Sequence, residues 1–262
     1  MASDVFNKDL RKKIVEMIHH SGEGHIPSAF SIIDIVAHLY RNVLKVDGKN
    51  PRWDERDYFV LSKGHGCAAL YVMLEERGFI TKDDLMKKSK SEGILGGHPD
   101  ATRVPGAEAS TGSLGHGCGL ALGLALGLRI REKDNKVIAL LGDGESNEGT
   151  VWECGLVGAN LQLGNLCYII DNNGSAAQIL PVSDMEKKWE SFGWEAHSIN
   201  GHSQKEIEDV FQKIRFEHHA KPKVIIANTL KGKGVSFMEV HGPWHAKVPN
   251  AEELKTIYEE LS

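Results

Sequence analysis

The sequence predicts an α/β fold, with a doubly wound and mostly parallel sheet that carries helices on both faces. Short strand-like segments alternate with helical segments along the whole chain, which is the pattern of such a sheet. The runs at residues 137–141 and 166–170 are apolar throughout, as expected of strands that are buried on both sides. The segment between them is long enough for the helix that must connect two parallel strands.

Each element is placed by its apolar pattern and by its end signals. In the first helix Leu10, Ile14 and Ile18 fall on one face, and a Gly-rich turn follows it. Thr81 and Asp84 have the spacing of a capping box for a further short helix. Helices are predicted at about residues 4–20, 31–44, 66–78, 118–131, 149–161, 184–192, 203–218 and 251–261. Strands are predicted at about residues 57–61, 137–141, 166–170, 194–199 and 223–230.

The chain is expected to be one domain over residues 1–262, because it contains no linker, internal repeat or low-complexity tract. One connection stands out. Residues 89–111 have few apolar side chains and include the run Gly96-Gly97-His98-Pro99. A connection of this length without predicted structure, inside a compact domain, predicts a functional loop.

The composition argues against several classes of protein. The formal net charge is −5, whereas proteins that bind nucleic acid or anionic membranes carry clustered basic residues. The longest apolar run, at residues 120–128, is too short to span a bilayer, and the N-terminus lacks the features of a secretory signal. The four cysteines have no metal-type spacing. They are expected to be small buried thiols in the reducing cytoplasm, where we place the protein.

Polar side chains follow both strands of the central unit. Asp143 comes directly after one strand and Asn173 shortly after the next, about 30 positions later, which is the length of one βαβ unit. Both oxygens therefore reach the same edge of the sheet, where open α/β sheets bind ligands. A carboxylate and an amide oxygen suit Mg²⁺ or Ca²⁺ when a diphosphate supplies the remaining oxygens. Gly142 and Gly144 let the backbone approach those phosphates.

The run Gly142-Asp143-Gly144-Glu145-Ser146-Asn147-Glu148-Gly149, followed by Asn172-Asn173, resembles the thiamine diphosphate signature, and its flanks resemble the transketolase family. The resemblance implies thiamine diphosphate as cofactor, with Mg²⁺ as the metal and Ca²⁺ or Mn²⁺ as substitutes. By the same resemblance, Asp143, Asn173 and the backbone carbonyl of Ser175 hold the metal. The stretch with Gly112 and Leu114 resembles the one that contacts the pyrimidine and thiazolium rings.

Four histidines lie in predicted loops, namely His25, His65, His98 and His245. No two of them are close enough in sequence for a compact zinc motif. Their surroundings resemble the histidine-bearing motifs of transketolases. The resemblance assigns His25 and His245 to proton transfer, His98 to the C1 hydroxyl of the donor sugar, and His65 to the phosphate side of the cofactor. Histidine suits this work because it titrates near working pH. His202, which follows Gly201, is assigned no role.

Three positions depart from the family pattern. Ser175 begins a loop in which an apolar cofactor contact is not preserved, and Ser113 and His116 replace residues that are commoner in the family. A metal contact through the Ser175 backbone is compatible with this change. The changes at Ser113 and His116 alter either the choice of acceptor sugar or only the conformation of the loop.

The resemblance covers the diphosphate-binding domain and then stops. Transketolases also have a pyrimidine-binding domain with the glutamate that activates the cofactor, so we expect it on a separate C-terminal subunit, with two copies of each subunit in the complex. The activity implied is transfer of a two-carbon ketol unit from a ketose to an aldose or aldehyde. The ketose is expected to carry a phosphate or another anion.

Two alternatives remain from the sequence. The α subunits of 2-oxo acid dehydrogenases and of other thiamine diphosphate enzymes share the unit from Gly142 to Asn173, although the four loop histidines favour a transketolase. The chain could also be a non-catalytic subunit that binds cofactor or partner without turnover. The retained Asp143 and Asn173 argue against that second alternative.

Overall fold

The computed structural model describes residues 7–178, 180–239, 244 and 246–262. The strands in this part of the chain are β1 (Tyr58–Leu61), β2 (Val137–Gly142), β3 (Leu166–Asn172), β4 (Glu195–Asn200) and β5 (Lys223–Asn228). They form one sheet in the order β1-β2-β3-β5-β4, and each neighbouring pair is parallel. The five predicted strands and the parallel sheet are therefore confirmed.

Ten α-helices lie in the described part of the chain. They are α1 (Lys8–Ser21), α2 (Ile26–Phe30), α3 (Ile33–His38), α4 (Cys67–Glu76), α5 (Lys82–Met86), α6 (His116–Ile130), α7 (Gly149–Asn160), α8 (Met185–Ser191), α9 (Gln204–Lys213) and α10 (Ala251–Glu260). Thr81 caps α5 with the predicted capping box. No helix within the described ranges is long and apolar enough to cross a membrane.

Helices cover both faces of the sheet, and the strand residues alternate between two cores. In β2, Ile138 and Leu140 point into a core built with α1 to α4 and α9. Their neighbours Val137, Ala139 and Leu141 point into a second core, with α6, α7 and α8. All six residues of β2 are buried. This double burial explains why the strand reads as an uninterrupted apolar run.

Two parts of the helix prediction differ from the structure. The helix predicted at residues 31–44 is present as α3 and its continuation, a π-helical turn at Leu39–Val43, but an unpredicted short helix, α2, precedes it. Pro27 fits the first turn of α2, where its missing N–H is not needed. The helix predicted at residues 203–218 ends at Lys213, since Ile214 takes an extended conformation. The long loop is confirmed, because residues 87–115 contain neither helix nor strand.

The carboxyl ends of three strands lie side by side at one edge of the sheet. Gly142 of β2 pairs with Asp171 of β3, which pairs with Ala227 of β5. The loops that follow β1, β2, β3 and β5 therefore emerge together. This edge is where a ligand of an open parallel sheet binds.

Candidate functional site

Asp143 lies at the carboxyl end of β2 and begins a short 3₁₀ turn. One carboxylate oxygen accepts a hydrogen bond from the backbone N–H of Gly144 at 2.7 Å, and the other accepts from that of Ala176 at 3.0 Å. The residue is only 5% exposed. The carboxylate is thus fixed between the turn after β2 and the loop after β3, and each oxygen keeps a second lone pair.

Asn173 follows β3 and faces the same loop. Its Nδ2 donates to Asp171 at 2.8 Å, so its Oδ1 points the other way and accepts from the backbone N–H of Ser175 at 3.0 Å. The Ser175 hydroxyl is buried and has no hydrogen-bond partner among the described residues. The structure therefore gathers Asp143, Asn173 and Ser175, the three residues predicted to hold a metal, around one turn.

These residues are too few to complete the shell of a metal ion by themselves. In the described part of the chain no group of three or more His, Cys, Asp or Glu side chains could hold a metal by itself. One carboxylate, one amide oxygen and an unpaired serine are an incomplete shell for a divalent cation. This donor set fits Mg²⁺, which commonly combines one or two protein ligands with the oxygens of a bound phosphate.

A buried ion pair lies directly beneath this turn. Lys63, from the loop after β1, places its Nζ 2.5 Å from Asp171, and neither side chain is more than 1% exposed. Ser31 donates to the same carboxylate at 2.8 Å, and Thr229 donates to its other oxygen. Burial raises the pKa of Asp171, but Lys63 and the two hydroxyls outweigh burial and hold that pKa below its usual range.

A second lysine reaches the same edge from the far side. Lys231 follows β5 and is half-buried. Burial and the charge of Lys63 lower its pKa, while the charges of Asp143 and Asp171 act in the opposite direction. Two cations from different loops thus converge on one acidic edge, which suits a ligand with several negative oxygens.

Glu145 joins three of the loops. Its Oε1 accepts from the Ser62 hydroxyl and from the backbone N–H of Gly115 at 2.9 Å, and its Oε2 accepts from the N–H of Gly142 at 3.0 Å. The residue is 1% exposed. Burial raises the pKa of this carboxyl despite the three donors. A single carboxylate therefore fixes the loop after β1, the start of α6 and the turn after β2 relative to one another.

The predicted ring-contacting stretch lies against the loop after β1. A Cβ on Gly64 would lie 2.8 Å from the backbone nitrogen of Gly112, so only glycine allows this approach. Gly112 itself has a φ of +145°, and a Cβ there would lie 2.9 Å from Cδ2 of His98. Leu114 is half-buried in the same stretch. Gly112 thus lets the imidazole of His98 close over the backbone.

The loop histidines form a second part of the site. His25 and His65 are half-buried, and their rings lie edge to face with centroids 5.5 Å apart. His98 is exposed and lies over Gly112. His245 lies outside the described residues. The structure thus brings His25 next to His65, and His98 next to the predicted ring-contacting stretch.

Four residues of this edge are assigned no role by sequence patterns, namely Lys63, Glu145, Asp171 and Lys231. Three of them are buried charged side chains, each paired with a residue from a different loop. Charged residues are seldom fully buried unless they are paired. A charged residue directly after or within an apolar run, as at Asp171, is the one signal in the sequence that could have found them.

Comparison with known proteins identifies the family. The chain matches the family described as "Transketolase, thiamine diphosphate binding domain" over residues 4–261. It is 37% identical to an apulose-4-phosphate transketolase subunit of Phocaeicola vulgatus, covering 96% of this chain and 91% of the relative. It is 38% identical to the 6-deoxy-6-sulfo-D-fructose transketolase subunit SqwG of a Clostridium species, covering 96% of this chain and 93% of the relative.

The fold of the chain also matches that of a solved transketolase. The crystal structure of transketolase from Campylobacter jejuni superposes with a TM-score of 0.89 and 30% sequence identity. The match covers 96% of this chain but only 41% of that one, so the chain spans less than half the length of this single-chain relative. The predicted family and fold are confirmed. The chain belongs to the transketolase family, as a transketolase subunit with the thiamine diphosphate-binding domain.

Proposed function

We propose that this chain, as a single domain over residues 1–262, is the diphosphate-binding subunit of a two-subunit, thiamine diphosphate-dependent transketolase. The pair transfers a two-carbon ketol unit from a ketose to an aldose or aldehyde. The observation that carries the proposal is the convergence of Asp143, Asn173, Lys63 and Lys231 at the carboxyl ends of adjacent strands. This edge has the oxygens for a metal, and the half-buried Lys231 adds a cation for a diphosphate beside the buried pair of Lys63 and Asp171.

The metal is proposed to be Mg²⁺, with Ca²⁺ or Mn²⁺ as substitutes. Asp143 supplies a carboxylate oxygen, Asn173 supplies Oδ1, and Ser175 supplies its backbone carbonyl. Support comes from the free lone pairs of Asp143 and from the hydrogen bonds that hold Ser175 and Ala176 against Asn173 and Asp143. A bound diphosphate would supply the remaining oxygens.

Other residues are proposed to hold the cofactor itself. Gly142 and Gly144 offer backbone to the diphosphate, and His65 contacts its phosphate side. Gly112 and Leu114 contact the rings. Thiamine diphosphate supplies, when bound, the carbanion chemistry that breaks a carbon–carbon bond of the ketose.

The loop histidines are proposed to act on the sugar. His25 and His245 move protons at the donor and acceptor oxygens, and His98 hydrogen-bonds the C1 hydroxyl of the donor. The contact between His25 and His65 supports this assignment, because it places His25 beside a residue on the cofactor side. His98 lies against Gly112, in the stretch proposed to contact the rings.

The second subunit is proposed to carry the pyrimidine-binding domain and to assemble with this chain as two copies of each. Two observations support a partner. Similar proteins of nearly the same length are named subunits, and the single-chain relative continues well beyond the matched region. One similar protein is named for a sugar phosphate and another for a sulfonated sugar. A ketose with an anionic far end is therefore the proposed donor.

The decisive experiment measures ketol transfer and cofactor binding in the presence of Mg²⁺. This chain is assayed alone and after co-expression with its partner subunit, as wild type, as Asp143→Ala, and as Asp134→Ala. Asp134 is a matched control because its carboxylate is fully exposed and it precedes β2, at the opposite end of that strand from Asp143. We expect activity only in the pair, and metal-dependent cofactor binding at least about 100-fold weaker in Asp143→Ala.

Each other outcome has a definite meaning. Activity of this chain alone would contradict the requirement for a second subunit. Cofactor binding without turnover in the wild-type pair, over a panel of anionic ketoses, would favour a non-catalytic subunit. Unchanged binding in Asp143→Ala would remove Asp143 from the metal site.

A further inference from the structure

A buried polar network lies behind Lys231 and joins α1, α3 and the loop after β4. Both terminal nitrogens of Arg11 donate to the carboxylate of Asp34, each at 2.8 Å, and Nδ1 of His202 lies 2.9 Å from the same carboxylate. The side chains of Arg11 and Asp34 are 0% and 2% exposed, and that of His202 is 10% exposed. Charges so deeply buried are maintained only when each one is paired and hydrogen-bonded.

The hydrogen bonds fix the protonation of His202. The backbone N–H of Leu230 points at Nε2 of His202 at 2.9 Å, and a backbone N–H can only donate. Nε2 is therefore an acceptor without a proton. The ring proton then lies on Nδ1, where it is donated to Asp34. His202 is neutral in this arrangement and connects the acidic residue on α3 to the start of the segment that contains Lys231.

The backbone is held on both sides of Lys231. Leu230, directly before it, donates to His202. Gly232, directly after it, donates to the carbonyl of Pro27 at 3.0 Å. The carbonyl of Lys233 accepts from Nε of Arg11 at 2.9 Å. The network that contains His202 thus holds this four-residue segment at Leu230 and at Lys233.

The loop that contains His202 is itself pressed against this segment. A Cβ on the preceding residue, Gly201, would lie 2.4 Å from the Cγ2 of Thr229. The N–H of Gly201 donates to the carbonyl of Asn228 at 2.8 Å. The backbone before His202 is therefore held in place. Through its hydrogen bond to the N–H of Leu230, the imidazole in turn holds the residue directly before Lys231.

We propose that His202 is a positioning residue for the diphosphate end of the site. It acts by holding the backbone before Lys231, so that the ammonium group is already placed when the anionic ligand arrives. This inference rests on the proposed function, because it requires that a diphosphate binds at the edge formed by Asp143 and Lys231. A cation that is placed in advance loses less entropy on binding than one that must be ordered.

Two substitutions of His202 separate its two hydrogen bonds. His202→Asn places an amide nitrogen near the position of Nδ1, so it can still donate to Asp34 but cannot reach the N–H of Leu230. His202→Gln places an amide oxygen near the position of Nε2, so it can still accept from Leu230. Asp34 retains its two hydrogen bonds from Arg11 in both variants.

The test measures the Kd for thiamine diphosphate with Mg²⁺ by calorimetry, on this chain in complex with its partner subunit. We expect Kd to rise about tenfold in His202→Asn, because the backbone before Lys231 is then no longer held in the free protein and must be ordered on binding. In His202→Gln, Kd should stay within about twofold of wild type. The kcat at saturating cofactor should stay near the wild-type value in both. A merely structural defect would instead lower the amount of folded complex and kcat together.

A double-mutant cycle with Lys231→Met tests whether the effect passes through Lys231. His202→Asn should not weaken binding further when Lys231 is already replaced. The proposal is overturned if His202→Asn weakens binding in the Lys231→Met protein as much as it does in the wild type. It is also overturned if His202→Asn alone leaves the Kd unchanged. If His202→Asn does not fold, Arg11→Lys removes the Nε donor to Lys233, and its effect must likewise vanish in the Lys231→Met background.

The proposed function and this inference fail in different ways. If the wild-type complex does not bind thiamine diphosphate, or if Asp143→Ala binds it as well as wild type, the proposed function is wrong. If wild type binds, Asp143→Ala does not, and His202→Asn matches wild type, only the inference about His202 is wrong.

Discussion

The two parts of the site are built in different ways. The diphosphate edge, which comprises Lys63, Asp143, Asp171, Asn173 and Lys231, lies at strand ends and depends on buried charges that pair across loops. The histidine wall, which comprises His25, His65 and His98, lies on loops and is half-buried or exposed. At the diphosphate edge, the same side chains therefore serve the fold and the ligand. At the histidine wall, side chains can change with little effect on the fold.

The largest expected effect is at the buried pair of the diphosphate edge. Asp171→Ala leaves the ammonium of Lys63 buried without its partner, which costs about 3–5 kcal/mol of unfolding free energy. Urea denaturation of the isolated chain, followed by circular dichroism, measures this loss. Replacing Lys63 by Met in the same molecule should restore part of it, because no unpaired charge then remains.

Asp54→Ala is the control for that experiment. Asp54 also pairs with two cations, Arg131 and Lys133, but at the surface. Its loss should leave the unfolding midpoint unchanged within error, because exposed ion pairs contribute little. If Asp171→Ala and wild type had equal unfolding midpoints, the buried pair of the diphosphate edge would not contribute to the stability of the fold.

A smaller change in stability is expected when the pH is lowered, because Asp34 in the buried network behind Lys231 then becomes protonated. Burial raises the pKa of Asp34, but Arg11 and His202 outweigh burial and hold that pKa below the usual value of 3.8. A carboxyl with a lowered folded-state pKa stabilises the fold above its unfolded-state pKa, and this contribution is lost as pH falls through the folded-state value.

Asp34→Asn cannot titrate, so the comparison isolates this group. The difference in unfolding free energy between wild type and Asp34→Asn should be largest near neutral pH and should shrink as pH falls below about 3.8. Asp9→Asn, on the exposed side of α1, controls for the change in net charge. A difference that stays constant across the pH range would show that Asp34 is not held by its partners.

The smallest effect on stability is expected at the histidine wall. His98→Ala removes an exposed imidazole, so the unfolding free energy and the Kd for thiamine diphosphate should stay close to wild type. Turnover by the complex should fall about tenfold or more, since one hydrogen bond to the reacting sugar is lost. His20→Ala, at the exposed end of α1, should leave turnover unchanged. If His98→Ala turned over at the wild-type rate, His98 would have no role in binding the reacting sugar.

The same contrast explains what the sequence could predict. Asp143 and Asn173 are found because each follows an apolar run, and parallel strands bring such ends to one edge. Asp171 is missed because the strand expected to end at Ile170 continues through Asn172. Its partner Lys63 lies 108 positions away in the chain. No local pattern relates two residues that meet only when the sheet has formed.

Helix bounds show a similar limit. Residues 31–44 have a continuous apolar stripe, so periodicity alone predicts one helix. That helix is present as α3 and its π-helical continuation, but the five-residue α2 before it is too short to show a period. Ser31, directly after α2, bonds to Asp171 in the sheet. His202 received no role because its partners Asp34 and Leu230 lie 168 and 28 positions from it. Local patterns therefore predict the frame of the site, and long-range polar contacts decide its details.

The Glu145 carboxylate also bears on the order of events during folding. Its contacts with Ser62 and Gly115 join residues that are 83 and 30 positions apart in the chain, and the first of them spans the paired strands β1 and β2. Contacts of such long sequence separation form slowly, because the intervening chain must first be ordered. We therefore expect the three loops that Glu145 joins to reach their final places together, late in folding.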